Sequence, residues 1–328
     1  MLARRQLLRA GLAALAAPAI KRTHAASGQT LRLGYILPAK SQLGAGATAF
    51  ADEVAKRTGG RFTIQQFPDG ALGGDAELLK GVQLGSIDIG ISTGLGLPSV
   101  LPEIGVLNIP FLFRDIAHAH AVLDGPVGDS FRKRFAAKDL IMLGWAESGM
   151  RHLSNSKRPI VTPDDLKGLK VRVPPSEVLL KGFQTLGAEA ASLPLPQLFE
   201  ALRAGKFDGE ENPIATIRAA KFDQVQKYLT LSAHAYDPAV FLMAPDAFDE
   251  LSADDKVSFT EAAKIGGQVS RKFAAESESA GVTALRDAGM VVQEKIDRQT
   301  FANAMKAIMP EFEKLFGHDL IQQITSAS

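Results

Sequence analysis

Two arginines have the setting to bind an anion. Arg172 lies in Lys170-Val171-Arg172-Val173-Pro174, where strand alternation sends both valines to one face and Arg172 to the other. Pro174 and Pro175 end that strand, so Arg172 sits at its carboxyl end. Arg151, in Gly149-Met150-Arg151-His152, falls where two sequence units join. A guanidinium keeps its charge, and its planar fork grips a carboxylate through two parallel hydrogen bonds. Neither arginine has an obvious partner nearby in sequence. Residue type and spacing therefore leave two readings open, a carboxylate site or a structural ion pair.

Other patterns suggest chemistry less well. Gly90-Ile91-Ser92-Thr93-Gly94 has the form of a hydrolase nucleophile elbow, which needs a helix directly after the serine. Leu95-Gly96-Leu97-Pro98 follows instead, so a glycine-rich loop at the end of a strand is the better reading. Gly44-Ala45-Gly46-Ala47-Thr48-Ala49 resembles a dinucleotide fingerprint, with Asp69 further on. It starts well after the preceding strand ends, and its small residues equally suit packing of a helix against a sheet. His118 and His120, two apart, would face away from each other on a helix, as surface or capping residues. Asp254-Asp255 and Glu276/Glu278 read as solvated helix faces. No metal site and no bound cofactor are expected.

Composition narrows the classes. Lys+Arg number 37 and Asp+Glu 36 in 328 residues, so there is no basic field to hold nucleic acid. The absence of cysteine removes disulfides, thiolate nucleophiles and Cys-based zinc sites. The chain opens with Arg4-Arg5-Gln6-Leu7-Leu8, an apolar stretch from Ala10 to Ile20, and Lys21 to Ala26. A basic start, a short apolar run and small residues at the end make a secretory signal over residues 1–26, cleaved near Ala25 or Ala26. The paired arginines resemble a twin-arginine leader. Removal of residues 1–25 takes five basic and no acidic residues, for a mature net charge of −4. No later apolar run has transmembrane length, so the mature protein is expected in the periplasm, not embedded in the membrane.

The elements that must position these residues alternate. Strands are expected over Leu31–Leu37, Arg61–Phe67 and Ile87–Ser92, with helices over Gly46–Arg57 and Asp75–Leu84 between them. Such a β-α-β-α-β run makes a parallel sheet flanked by helices. Phe131–Lys138 reads as a helix and Leu140–Trp145 as a strand. A second unit begins near Arg151. It has a helix start at Thr162-Pro163-Asp164-Asp165, a strand at Lys170–Val173, a helix at Ser176–Leu186 and a strand at Glu189–Leu193. A helix at Pro196–Ala204 is followed by a tight turn at Asp208–Asn212 and a helix at Pro213–Lys221. Ala239–Ala244 reads as a strand, Met290–Ile296 as another, and Thr300–Phe316 as a last helix. The helical pattern from Ser252 to Ala288 would run ~55 Å, more than the ~35–40 Å of one lobe. It must break, with Gly266-Gly267 the natural place, or cross two lobes.

The stretch from Gly149 to Pro213 resembles the solute-binding proteins of tripartite ATP-independent periplasmic (TRAP) transporters, the DctP family. The residues that carry this are Arg151–Pro159, Asp165-Leu-Lys-Gly168-Leu-Lys-Val-Arg172-Val-Pro174 and Gly205-Lys-Phe-Asp208-Gly209-Glu-Glu-Asn212-Pro213. Phe67–Gly74 and Gly85-Ser-Ile-Asp88 extend the likeness to the whole mature chain. The resemblance implies a two-lobe α/β fold like the type II periplasmic binding proteins, with a cleft between lobes, hinge strands and a long helix under both. Residues 27–149 with 238–277 would form lobe I, and 150–237 with 278–328 lobe II. It implies that Arg172 clamps a ligand carboxylate, that Arg151 adds positive charge and that Asn212 reaches the ligand. Glu77, Ser92, Thr93, Trp145, Glu147, Pro175 and Asp237 fall near cleft-lining positions.

What the resemblance implies is a receptor rather than an enzyme, with a small organic acid as ligand and the membrane subunits of a TRAP transporter as partner. The ligand would be a C4-dicarboxylate or a sugar acid such as an aldonate or uronate. Glu147 and Asp237 would repel a second carboxylate but accept bonds from hydroxyls. Ser41-Gln42-Leu43 stands where many relatives carry a histidine. The competing classes are an exported dinucleotide-dependent oxidoreductase and a receptor serving another transporter type.

Overall fold

The computed structural model describes residues 28–327. The leader expected at residues 1–26 lies outside them. The first unit comprises β1 (Gln29–Tyr35), α1 (Gln42–Arg57), β2 (Phe62–Phe67), α2 (Asp75–Gln83) and β3 (Ile89–Thr93). Then come α3 (Ile116–Asp124), α4 (Pro126–Ala136) and β4 (Ile141–Asn155). The second unit contains β5 (Lys170–Val173), α5 (Glu177–Thr185), β6 (Glu189–Ser192), α6 (Leu198–Arg203), β7 (Gly209–Asn212) and α7 (Ile214–Ala219). It is followed by β8 (Tyr228–Met243), α8 (Pro245–Asp249), α9 (Ala253–Asp287), β9 (Val291–Gln293), α10 (Arg298–Met305), α11 (Met309–Phe316) and α12 (His318–Ser326).

One mixed sheet carries both units, in the order β2-β1-β3-β8-β4-β7-β5-β6, with β9 beside β8. As expected of the first unit, β1 runs parallel to β2 and β3. In the second, β5 runs parallel to β6 and β7. The two halves meet through β4 and β8, which pair antiparallel along nearly their full lengths. One end of β8 pairs with β3 through Ala239–Met243, and the far end of β4 pairs with β7 through His152–Asn155. These two strands are thus the connectors between lobes. The sequence pattern shows only their apolar ends, Leu140–Trp145 and Ala239–Ala244. Their middles carry Glu147, Arg151, His152, His234 and Asp237, which break hydrophobic alternation because each meets a polar partner. Arg151 and His234 meet Glu211, Asp237 meets Arg151, Glu147 meets His120 and His152 meets Glu278.

The long helix settles the length question by crossing. Phe259, Ala262 and Ala263 of α9 join a core with Leu33, Phe50 and Phe241. Leu285, seven turns on, joins a separate core with Leu198, Ile214 and Phe222. The helix passes through Gly266-Gly267 unbroken because those positions need a close approach. A Cβ on Gly267 would lie 2.0 Å from the Trp145 carbonyl oxygen, and one on Gly46 would lie 2.9 Å from that of Gly266. Gly46 therefore packs helix α1 against helix α9, not against the sheet as its spacing suggests. A Cβ on Gly44 would strike the Ala39 carbonyl at 2.1 Å, so tight chain packing accounts for the fingerprint-like glycines.

Several expectations are corrected. The Thr300–Phe316 helix is two helices, because Pro310 starts a new one in its first turn, where the missing N–H costs nothing. Thr162 makes its capping box, but only a 3-10 turn at Pro163–Leu166 follows. Asp208–Asn212 is no turn: Gly209–Asn212 is a strand buried along its length. His118 is buried against the Ile324 carbonyl, at 2.8 Å. Asp255 is buried and bonded by Arg61 and Ser252. Asp254 and Glu276 are exposed, as expected of solvated helix faces, while the half-exposed Glu278 also reaches the buried His152 at 2.6 Å, tying α9 to β4.

Candidate functional site

A cavity of about 170 Å³ lies between the lobes, reached by residues from both. Its lobe I side holds Asp75 and Glu77 from the first turn of α2 and Thr93 from the end of β3. Its lobe II side holds Arg172 from β5, Pro175 after it and Asn212 from β7. Ser148 and Arg151 of β4 and Asp237 of β8 stand between.

Arg172 is placed by its strand. Val171 and Val173 sink into the core while Arg172 turns to the cavity, at 1% exposure. Its Nε donates to the Leu193 carbonyl at 2.7 Å, and its Nη1 has no partner among the described residues. Burial pushes its pKa down to about 10, with the Arg151 charge adding to the push. It stays charged at neutral pH.

Arg151 is different. Its Nε and Nη2 clasp the Glu211 carboxylate at 2.5 and 2.9 Å, and Nη1 donates to Asp237 Oδ2 at 3.0 Å. Nη2 also meets the Glu211 carbonyl and Asn212 Oδ1. The alternative of a structural ion pair therefore describes Arg151 and not Arg172. Burial works to raise the Glu211 pKa, but Arg151 and a bond from His234 hold it at about 2. For Asp237 burial prevails over Arg151, and its pKa rises to about 7. Its Oδ1 has no partner among the described residues. Asn212 Nδ2 donates to Glu210 at 2.5 Å, and Ser154 also donates there. Burial nevertheless lifts Glu210 to about 7.

On the lobe I wall, Asp75 accepts from the Ser92 hydroxyl at 2.8 Å and from the Thr93 amide and hydroxyl at 3.2 Å each. Burial still lifts its pKa to about 6. Ser92, the candidate of the elbow-like motif, is thus a buried donor to Asp75, and a turn rather than a helix follows it.

Trp145 and Glu147 do not border this cavity. Along β4 they share one face, and the register shift between Glu147 and Gly149 leaves Ser148 as an extra, unpaired residue that borders the cavity. Trp145 packs edge-on against Phe131, 6.4 Å between centroids, beside a separate surface cavity. Glu147 faces His120 at 2.6 Å and Tyr236 at 3.2 Å, and burial raises its pKa. Among the described residues no three potential metal ligands gather.

Residues 33–315 match the family model described as bacterial extracellular solute-binding protein, family 7, DctP. The chain belongs to this family. A solute-binding protein of Verminephrobacter eiseniae is 43% identical over 303 residues, covering 92% of this chain and 90% of that one. A TRAP periplasmic solute-binding protein from Polaromonas sp. JS666, solved bound to D-erythronate, superposes with a TM-score of 0.90 at 42% identity, covering 92% and 99%. Another, from Sulfurospirillum deleyianum with bound succinate, gives 0.87 at 31%, covering 92% and 99%. The two-lobe architecture is that of these binding proteins.

For a family-7 solute-binding protein, the polar residues that sequence reasoning missed are Asp75, Ser148, Glu211 and His234. Asp75 reads as a helix-start acid, which it also is. Glu210-Glu211 carried a signal: two adjacent acids beside an Asn-Pro pair, in a segment flanked by apolar runs, demand a partner once buried.

Proposed function

We propose that this family-7 solute-binding protein is a periplasmic receptor that binds a small organic acid and delivers it to the membrane subunits of a TRAP transporter. The observation that carries this reading is Arg172, a fully buried guanidinium in the interlobe cavity whose Nη1 has no partner among the described residues. A carboxylate is the natural counter-ion for that fork. Asn212 and Arg151 flank it, while Pro175, Thr93, Glu77 and Asp237 shape the remaining wall. Ligands of both chemical types expected from the chain are known among solved relatives, a hydroxylated monocarboxylate and a dicarboxylate.

The lobes, bounded as residues 27–149 with 238–277 and 150–237 with 278–328, open and close about β4 and β8. Closure removes water from the Arg172–carboxylate pair, which strengthens it. The equilibrium shifts by the ligand's preference for the closed form. The leader at residues 1–26 directs export, and no helix of the described residues is long and apolar enough to cross a membrane.

A thermal-shift screen against mono- and dicarboxylates, keto acids, aldonates and uronates, with neutral sugars as controls, tests the reading. Ligand at a thousand times its Kd adds ~4 kcal/mol, or several degrees for domains of this size. A shift from one acid family and none from the sugars is expected. Bound dinucleotide absorbance in the purified protein would instead support the oxidoreductase alternative.

A further inference from the structure

We infer that the cleft selects a hydroxylated monocarboxylate over a dicarboxylate, and that Asp237 is the discriminating residue. This rests on the acid-receptor reading above and names its ligand class. The two sides of the cavity have opposite hydrogen-bonding character. The lobe II side offers donors: Arg172 Nη1 has no partner among the described residues, and Asn212 Nδ2 has spent one hydrogen on Glu210. The opposite side offers acceptors. Asp237 Oδ1 is buried with no partner among the described residues, Glu77 borders the cavity, and Thr93 gives its hydroxyl proton to Asp75. Thr93 therefore has only lone pairs left for a ligand.

One carboxylate answers Arg172. At pH 8, where Asp237 is ionised, its Oδ1 needs a donor, and a ligand hydroxyl supplies one. A second carboxylate supplies none, and it would bring an anion beside Asp237 and Asp75. Arg151 cannot offset that anion, because its charge is already matched by Glu211 and Asp237 and most of its hydrogens are spent on them and on Asn212. A buried polar group made to hydrogen-bond a hydroxyl strongly rejects an analogue that lacks it.

Isothermal titration at pH 8 tests this with D-erythronate and galactonate as hydroxylated monocarboxylates, succinate as dicarboxylate and butyrate as bare carboxylate. In the wild type a hydroxylated acid should bind at least ~100-fold tighter than succinate or butyrate. Asp237→Asn should cut that preference about tenfold or more, through loss of hydroxy-acid affinity and gain of succinate affinity. Thr93→Val, which leaves the Arg151 network intact, should weaken the hydroxy acids about tenfold and spare succinate. If the tightest acid of the four carries no hydroxyl, or if both variants keep the wild-type ratio, the selectivity inference is overturned and the receptor reading stands. If none of the four binds and the wider acid panel also gives no thermal shift, the receptor reading fails and this inference fails with it.

Discussion

Arg151 and Arg172 enter the same cavity with different partners: Arg151 is clasped by Glu211 and Asp237, while among the described residues Arg172 donates only to the Leu193 carbonyl. The difference assigns them different tasks. Arg172→Ala should leave a ligand carboxylate buried without its counter-ion, a loss of ~3–5 kcal/mol or more than a hundredfold in affinity. Arg172→Lys should also weaken binding, because the fork is lost. Titration calorimetry with the acid found by screening measures both, and wild-type affinity in both variants would sink the clamp.

Arg151→Ala should act on the fold instead. It strands the fully buried Glu211 and Asp237 carboxylates. Breaking such a pair costs ~3–5 kcal/mol, and at ~2–4 °C per kcal/mol the ligand-free Tm should drop by about 10 °C. Arg172→Ala removes a buried cation that makes no ion pair among the described residues, and it should lower the ligand-free Tm far less than Arg151→Ala does. Calorimetric melts of the two variants without ligand separate the roles, and equal losses would contradict this division.

Gly267→Ala should weaken the whole molecule through one methyl group. The added carbon would sit 2.0 Å from the Trp145 carbonyl, so α9 must move off β4. Overpacking of this kind costs ~1–3 kcal/mol. Because α9 reaches both cores, a urea melt should show a lower midpoint for the single transition rather than for one lobe alone.

Asp75 should make stability fall with rising pH over a defined window. Its folded pKa, about 6, stands above the ordinary value of 3.8. Between the two, the folded chain keeps a proton that the unfolded chain has released. Stability therefore declines as pH rises through that window and is level above it. Asp75→Asn should remove this contribution, so the Tm difference between variant and wild type should grow in the variant's favour from pH 4 to 6. A difference that stays constant with pH would refute the assignment.

Much of the frame was legible because local rules govern it. Lys170–Val173 forms the strand that its alternation marks, and Asp75 opens α2 where an early acid favours a helix start. Proline and glycine set the ends of most other elements. The polar middles of β4 and β8 were not legible, since a hydrophobic pattern reports burial against apolar neighbours and these strands bury charges against one another. The family resemblance set Trp145 and Glu147 near the cleft, and neither borders the cavity. A register shift between Glu147 and Gly149 puts Ser148 and Arg151 on the cavity instead, and it depends on how β8 pairs across the gap.

The amino-acid sequence by itself determined the alternating α/β units, the setting of Arg172 on its strand and a helix too long for one lobe. Each follows from backbone periodicity, steric punctuation by proline and glycine, and side-chain charge, all of which act over a few residues. Only the tertiary structure decided which arginine is free. Arg151 meets Glu211 and Asp237 across 60 and 86 residues of chain. Pairing over that distance is set by strand register between β4, β7 and β8, where the cost of burying any one of these charges alone is what holds them together.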